Sequence, residues 1–231
     1  MPRDTLTADR IVRAAIELLD SEGLDGLNMR SLAKRLGSAA TAVYWHIKTK
    51  DDLVRLAGDA IWHEVELPDL ATTDWRTAAT AHARSMHAML TRHPWLVQAF
   101  GSHLLYGPGQ ARNNDLSLAI YEKAGFASGD ADRAAATVFT FVLGSALGPA
   151  AQVSLNRRLS VNGADGEQLM ADAMASASET ARQFPRLRER LDTAAAMEYS
   201  AAPDSTFDFG LQSVLDGFEA RLAADGAGSR K

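Results

Sequence analysis

Ile11, Ala14, Ala15, Leu18 and Leu19 stand at i, i+3, i+4, i+7 and i+8. That spacing lines one face of an α-helix; a strand, with its period of two, would scatter the same residues over both faces. The helical period returns along nearly the whole chain of 231 residues, and β-branched alternation is scarce. Ala, Leu, Arg and Glu, all good helix formers, dominate. The chain therefore reads as all-α, with ample length for a buried core.

Local signals divide it further. Thr7 is placed to cap the first helix, and Gly23 is a natural stop after it, with "GLDG" as a turn. Asn28 caps a second helix, Met29 to Leu36, which Gly37 ends. A short helix follows from about Ala40 to Ile47. Thr49 caps a fourth, with Asp51 and Asp52 in the first turn where the helix dipole favours acids, and Pro68 breaks the chain beyond it. Asp74 caps a long helix reaching Pro94. Shorter helices are expected over 95–104 and 112–125, separated by "YGPG", and Asp130 opens an apolar helix. "SVNGADGEQ" reads as a loop, helices follow over 167–182 and 185–197, and "SAAPDS" reads as a turn. Phe207, Leu211, Val214, Leu215, Phe218 and Leu222 form a helical stripe in the last helix. The expected division is a head of residues 1–66, a helical body of 67–224 and a structureless tail of 225–231.

Helix, glycine turn, short helix is the helix-turn-helix pattern. On the wheel of residues 40–48, Ala40, Val43 and Ile47 share one face, while Thr41, Tyr44, Trp45 and Lys48 share the other. A helix this short has no stability of its own, so the small apolar face must pack on its neighbours. The rings then point outward. DNA is a partner that could cover them: a Tyr hydroxyl can donate to phosphate, a Thr methyl can lie against a thymine methyl, and Lys48 and Lys50 can neutralise phosphates. Packing of Tyr44 and Trp45 against another helix is an equally open reading at this level. Charge leans the same way as the DNA reading. Residues 1–50 hold eight Lys/Arg against six Asp/Glu, a net +2, whereas the whole chain is −5 and the remainder therefore −7.

The segments "IVRAAIELLDSEGLDGLNMRSLAKRLG" and "AVYWHIKTKDDLV" together resemble the DNA-binding domain of the TetR family of bacterial transcriptional repressors. "FDFGLQSVLDGFEARL" is similar to the last helix of the tetracycline-repressor type within that family. The resemblance implies a helix-turn-helix head on a helical domain that binds a small molecule and dimerises. It places DNA contacts on Arg30, Ala40, Thr41, Ala42, Tyr44, Trp45, His46 and Lys50. Ala40 departs from the tetracycline-repressor type, where an amide side chain reads a base, so a different operator is implied.

For the body, bulky or amphipathic side chains are candidates to line a pocket: Trp62, His63, His82, Met86, Met89, Phe100, His103, Tyr106, Tyr121, Phe139 and Phe141. Residues of these types at helical spacing also fill ordinary cores. By the resemblance, Phe100 stands where a histidine would ligate a drug-bound magnesium, His82 replaces a drug-binding asparagine, and Met86 a phenylalanine. That implies an uncharged, apolar effector and no metal or cofactor. A dimer of the implied kind would use Val138, Val142 and Ala146 with Phe207, Leu211, Val214, Leu215, Phe218 and Leu222.

Other classes fit poorly. The absence of cysteine excludes disulfides and Cys-based metal sites and fits the cytoplasm. "WHEVE" lacks the second histidine of a zinc-protease motif, because residue 67 is Leu. "GPGQAR" lacks the spacing of a dinucleotide loop, and "GSALG" is not a nucleophile elbow. No signal peptide or membrane span is expected. The reading is a homodimeric, effector-responsive repressor of operator DNA and not an enzyme; the alternative is a small-molecule-binding or protein-interaction module that no longer reads DNA.

Overall fold

A computed structural model of the chain describes residues 6–161, 166–191 and 203–228, and every regular element among them is helical. The head comprises α1 (Ala8–Gly26), α2 (Met29–Arg35), α3 (Ala40–His46) and α4 (Lys50–Ile61), the last followed by a 3₁₀ turn, Trp62–Glu64. The body comprises α5 (Trp75–Arg92), α6 (Pro94–Ala99), α7 (Pro108–Ala124), α8 (Ser128–Val161), α9 (Gly166–Arg182), α10 (Pro185–Leu191) and α11 (Pro203–Gly228).

The caps act as the sequence indicates. Thr7, Asn28, Thr49 and Asp74 each accept a backbone N–H three residues on, at 3.2, 2.9, 2.9 and 3.0 Å. Each bond satisfies a donor that the helix cannot satisfy itself. Gly23 takes φ +73° inside α1, Gly37 φ +61° after α2 and Gly125 φ +105° after α7. At Gly23 the chain breaks helical geometry where a stop was expected.

Several boundaries differ. Pro94 and Pro108 begin α6 and α7 at first-turn positions, where a missing N–H costs nothing. So α7 starts inside "YGPG", and α6 ends at Ala99. α8 begins at Ser128. Ser160 and Val161 belong to α8 and Gly166–Gln168 to α9, so the expected 160–168 loop narrows to 162–165, which lie outside the described residues. Residues 192–197 of the expected 185–197 helix also lie outside them. α11 begins at Pro203, inside the expected "SAAPDS" turn, and runs to Gly228, so residues 225–228 are helical where a structureless tail was expected.

In the head, α1 packs on α2 and α4, and α2 on α3, around Ile11, Leu18, Leu32, Val43, Ile47 and Leu53. In the body, α8 packs on α5, α6 and α7, and α11 lies across α5 and α8. Arg76 of α5 pins α11 through Asp216 at 2.5 Å and Glu219 at 3.0 Å. α8 is long and apolar enough by composition to cross a membrane, contrary to the expected lack of such a segment. In this fold that helix serves as the centre of a helical layer.

Candidate nucleic-acid interface and ligand cavity

α3 presents two faces. Val43 and Ile47 are 0% and 3% exposed, against 46% for Tyr44 and 78% for Trp45. Thr41, His46 and Lys48 are exposed as well, and Arg30 stands exposed on α2. Ala40 and Ala42 are half-buried. Among the described residues no helix covers Trp45, and its ring faces outward. The Lys48 ammonium donates to the carbonyls of Tyr44 and Trp45, both at 3.2 Å, and lies 5.6 Å from the Trp45 ring centroid. It thereby caps the C-terminus of α3 and keeps a positive charge beside the ring. Lys50 donates one hydrogen to the Leu24 carbonyl at 2.7 Å, tying α4 to the end of α1. Its two other donors are geometrically independent of that bond.

α4 carries this face into the body. Near its C-terminal end, Asp59 Oδ1 accepts the backbone N–H groups of Gly109 and Gln110 at 2.9 and 3.2 Å. A residue of α4 thus caps α7. The glycines of "YGPG" now have a reason: a Cβ on Gly107 would overlap the Asp59 carboxylate, and one on Gly109 the Asp59 carbonyl oxygen. Beyond Asp59, Asn113 of α7 donates from Nδ2 to the Trp62 carbonyl at 3.1 Å and to Gly109 O at 3.0 Å.

The same stretch of α7 walls a cavity of about 300 Å³ between α5, α7 and α8. Met86, Leu118 and Phe139 supply apolar lining, and Gln110, Asn113, Asn114, Ser117 and Asp132 supply polar groups. Among the described residues no Lys, Arg or His lines it. Trp62 and Phe100 pack behind Phe139, with ring centroids 6.2 and 5.7 Å from it. Among the described residues, Gln110 Oε1 and Trp62 Nε1 are buried without a hydrogen-bond partner.

His82 meets this wall from behind. Asn113 spends its amide hydrogens on two carbonyls, so its Oδ1 is the acceptor facing His82 Nε2 at 3.2 Å. Nε2 therefore carries the hydrogen, and Nδ1 is left to accept from Ser117 Oγ at 3.4 Å. Burial pushes the His82 pKa down against the opposing pull of Asn113, which keeps the ring neutral. Both its nitrogens are used within the protein.

Residues 11–57 match "Bacterial regulatory proteins, tetR family", and residues 67–222 match "Tetracyclin repressor-like, C-terminal domain". The chain belongs to the TetR family. An "HTH-type transcriptional regulator" of Saccharopolyspora erythraea is 41% identical over 140 residues, which span 61% of this chain and 59% of that protein. The "HTH-type transcriptional repressor DrrR1" of Streptomyces coeruleorubidus is 32% identical over 96% of this chain and 80% of its own length. Among solved structures, the TetR family protein ActR of Streptomyces coelicolor, in complex with actinorhodin, superposes with a TM-score of 0.72 at 26% identity, covering 94% of this chain and 97% of ActR.

Within this TetR-family fold the expected pocket residues disperse. Met86 and Phe139 line the cavity, Trp62 and Phe100 back it, and His82 braces its wall. Met89 is buried in the core, and Phe141 stacks on Phe207 at 5.5 Å. Tyr121 packs edge-on against Phe126 and Phe218 at 6.5 and 5.7 Å, away from the cavity lining, and burial pushes its phenol pKa up. His63 and Tyr106 are exposed. His103 sits between Ser102 Oγ at 2.9 Å and Asp51 at 3.5 Å. The cavity residues that sequence reasoning missed are Gln110, Asn113, Asn114, Ser117, Leu118 and Asp132, with Ala135 and Ala136. Their polar members read as a solvated helix face, and no local signal distinguishes them from one.

Proposed function

We propose that this TetR-family protein is a cytoplasmic homodimeric repressor that reads operator DNA with α3 and releases it when a small effector enters the body cavity. The observation that carries the DNA reading is the outward pair Tyr44–Trp45, held on a seven-residue helix by the buried Val43 and Ile47. Thr41, Ala42 and Ala40 lie toward the start of α3, the end that reaches base edges in helix-turn-helix docking. Tyr44, Trp45, His46, Lys48, Lys50 and Arg30 surround them as phosphate and sugar contacts.

The effector reading rests on the connection between cavity and α4. Asn113 and Gln110 line the cavity, and α7 is hydrogen-bonded to Asp59 and Trp62 of the α4 segment. A ligand that shifts α7 must move these bonds or break them. It thereby changes the position of α4 and of the head at its other end, provided it binds the two arrangements unequally. With no cation among the described lining residues, an unpartnered Gln110 acceptor and one carboxylate at Asp132, the cavity suits a ligand without negative charge that brings a hydrogen-bond donor. The actinorhodin complex of ActR supports an organic ligand in a body of this fold.

The expected dimer stripe is shared with the core of the single chain. Val138, Val142, Ala146, Phe207, Leu211 and Leu215 are buried within a single chain, and Val214, Phe218 and Leu222 are half-buried there. They hold α11 to the body. The apolar surface left for a second copy is one step further round the two helices, at Leu147 of α8, 55% exposed, and Phe209 of α11, 77% exposed. That face supports an isologous pairing of α8 and α11.

An electrophoretic shift with the DNA upstream of its own gene tests the DNA reading. Binding should weaken steeply with salt, because phosphate contacts release counterions. No shift, or a shift indifferent to salt, would favour an effector-binding module that does not read DNA.

A further inference from the structure

One carboxylate near the end of α1 takes two hydrogen bonds from the body. Asp20 Oδ1 accepts from His93 Nδ1 at 2.7 Å and from Trp95 Nε1 at 2.8 Å. The other edge of the same imidazole, Nε2, lies 3.2 Å from both oxygens of Glu64, in the turn that ends α4. His93 itself joins α5 to α6, with φ −119° and ψ 66°, and its side chain is buried. One body residue therefore bridges α1 to the end of α4.

α1 packs on α6 here, and that packing is interrupted. A cleft of about 670 Å³ opens beside it, between the last turns of α1, Gln98 of α6 and Arg157 of α8. Across the cleft the link is polar: Arg157 Nη2 donates to the Asp20 carbonyl at 3.1 Å. Free space next to a polar bridge leaves the head room to rotate once the bridge is lost.

The bridge has a protonation requirement. An ionised carboxylate only accepts hydrogen bonds. With carboxylates at both edges, both ring nitrogens must carry hydrogen, so the ring is an imidazolium. A neutral ring would turn one lone pair onto a carboxylate oxygen. We infer that His93 is a proton-held latch, which as an imidazolium locks α1 and the end of α4 to the body and on losing its proton lets the head swing.

The charged groups around it support this. Asp20 faces it from α1 and Glu64 from the turn after α4. Arg92 of α5 pairs with Glu64, and Arg157 of α8 holds the Asp20 backbone. Trp95 of α6 is neutral. Burial pulls the His93 pKa down, but the hydrogen bonds and charges of Asp20, then of Glu64, outweigh it, and the net shift is upward. A histidine whose pKa is raised on docking stabilises the docked state fully below its free value, about 6.5. That stabilisation is lost as pH rises from there through the docked value. The latch is independent of what the head reads.

Amide hydrogen exchange on the full-length protein tests it. The peptides to follow cover residues 17–27 and 55–64, with rates corrected for the intrinsic pH dependence of exchange. In the wild type, opening of these segments should grow by up to about tenfold per pH unit above about pH 6.5, then level off. In His93→Gln opening should be raised and flat with pH, since a carboxamide has only one donor edge. In Glu64→Gln the slope should persist but level off at lower pH, because one carboxylate supporting the proton is gone. That downward displacement is a result no purely structural role gives, and it stands even if His93→Gln fails to fold. A flat wild-type profile, an unmoved plateau in Glu64→Gln, or protection lost on acidification would overturn the latch.

Discussion

Asp59→Ala should loosen α7 from α4, and its size can be worked from two bonds. Asp59 Oδ1 takes the N–H groups of Gly109 and Gln110, at the helix N-terminus where Pro108 has no N–H to offer. Replacing a capping acceptor by alanine costs about 0.5–2 kcal/mol. Removing a negative charge from a helix N-terminus adds about 0.3–1 kcal/mol. Stability should therefore fall by about 1–3 kcal/mol, and the melting temperature by roughly 2–4 °C for each kcal/mol in a chain of this length. Asp59→Asn keeps an acceptor and should lose only the charge contribution. The assay is thermal or urea unfolding at one fixed protein concentration, since dimer stability depends on it. Two glycine variants sharpen it. Gly107→Ala collides with the Asp59 side chain, so Asp59→Ala in the same protein should relieve part of the damage. Gly109→Ala collides with the Asp59 carbonyl oxygen, which Asp59→Ala leaves in place, so no relief is expected. An Asp59→Ala protein within about 0.5 kcal/mol of wild type would refute the account of α7 as a helix capped from α4.

Trp45→Ala and Tyr44→Ala should each weaken operator binding by about 1–3 kcal/mol, roughly 5- to 150-fold, with little effect on unfolding. Val43→Ala should do the reverse at first order, lowering stability by about 1–3 kcal/mol through two lost buried methyls; equal effects of the three on both assays would dissolve the two-faced helix. Phe209→Asp should shift the dimer toward monomer in sedimentation at micromolar concentration, and an unchanged association constant would place the interface elsewhere. His82 predicts an acid-side effect opposite in sign to that of His93. Its folded pKa lies below the free value, so the unfolded chain binds more protons below about pH 6.5 and stability should fall as pH drops from there; a His82→Gln protein with the same acid slope would contradict it.

What could be read from sequence was what is local. A cap needs only a side chain three residues from its donor, and Thr7, Asn28, Thr49 and Asp74 all act as expected. Gly23 and Gly37 marked left-handed turns because only glycine enters them cheaply. The two faces of α3 followed from the wheel. The cavity did not, because its wall is an arrangement of three helices far apart in sequence. Asn113 illustrates the difficulty: in sequence it sits in "ARNND", which reads as solvated, yet it is buried and binds the carbonyl of a residue 51 positions earlier. The apolar stripe of the last helix was legible as a covered face, but an apolar period does not say whether the same chain or another covers it.

The fit of "YGPG" against Asp59 also bears on how such proteins diverge and how they can be recombined. Reader and sensor cannot be exchanged as independent cassettes at the end of α4. A chimera cut there would set a foreign Asp59 position against glycines shaped for this one, or bring a bulkier loop against the carboxylate. A splice within the first half of α4 lets Asp59 and Trp62 travel with the body they support, and it must also keep an aspartate at position 20 of α1 for His93 and Trp95. Lineages that traded operators while keeping their effectors would be expected to show the seam in the same place.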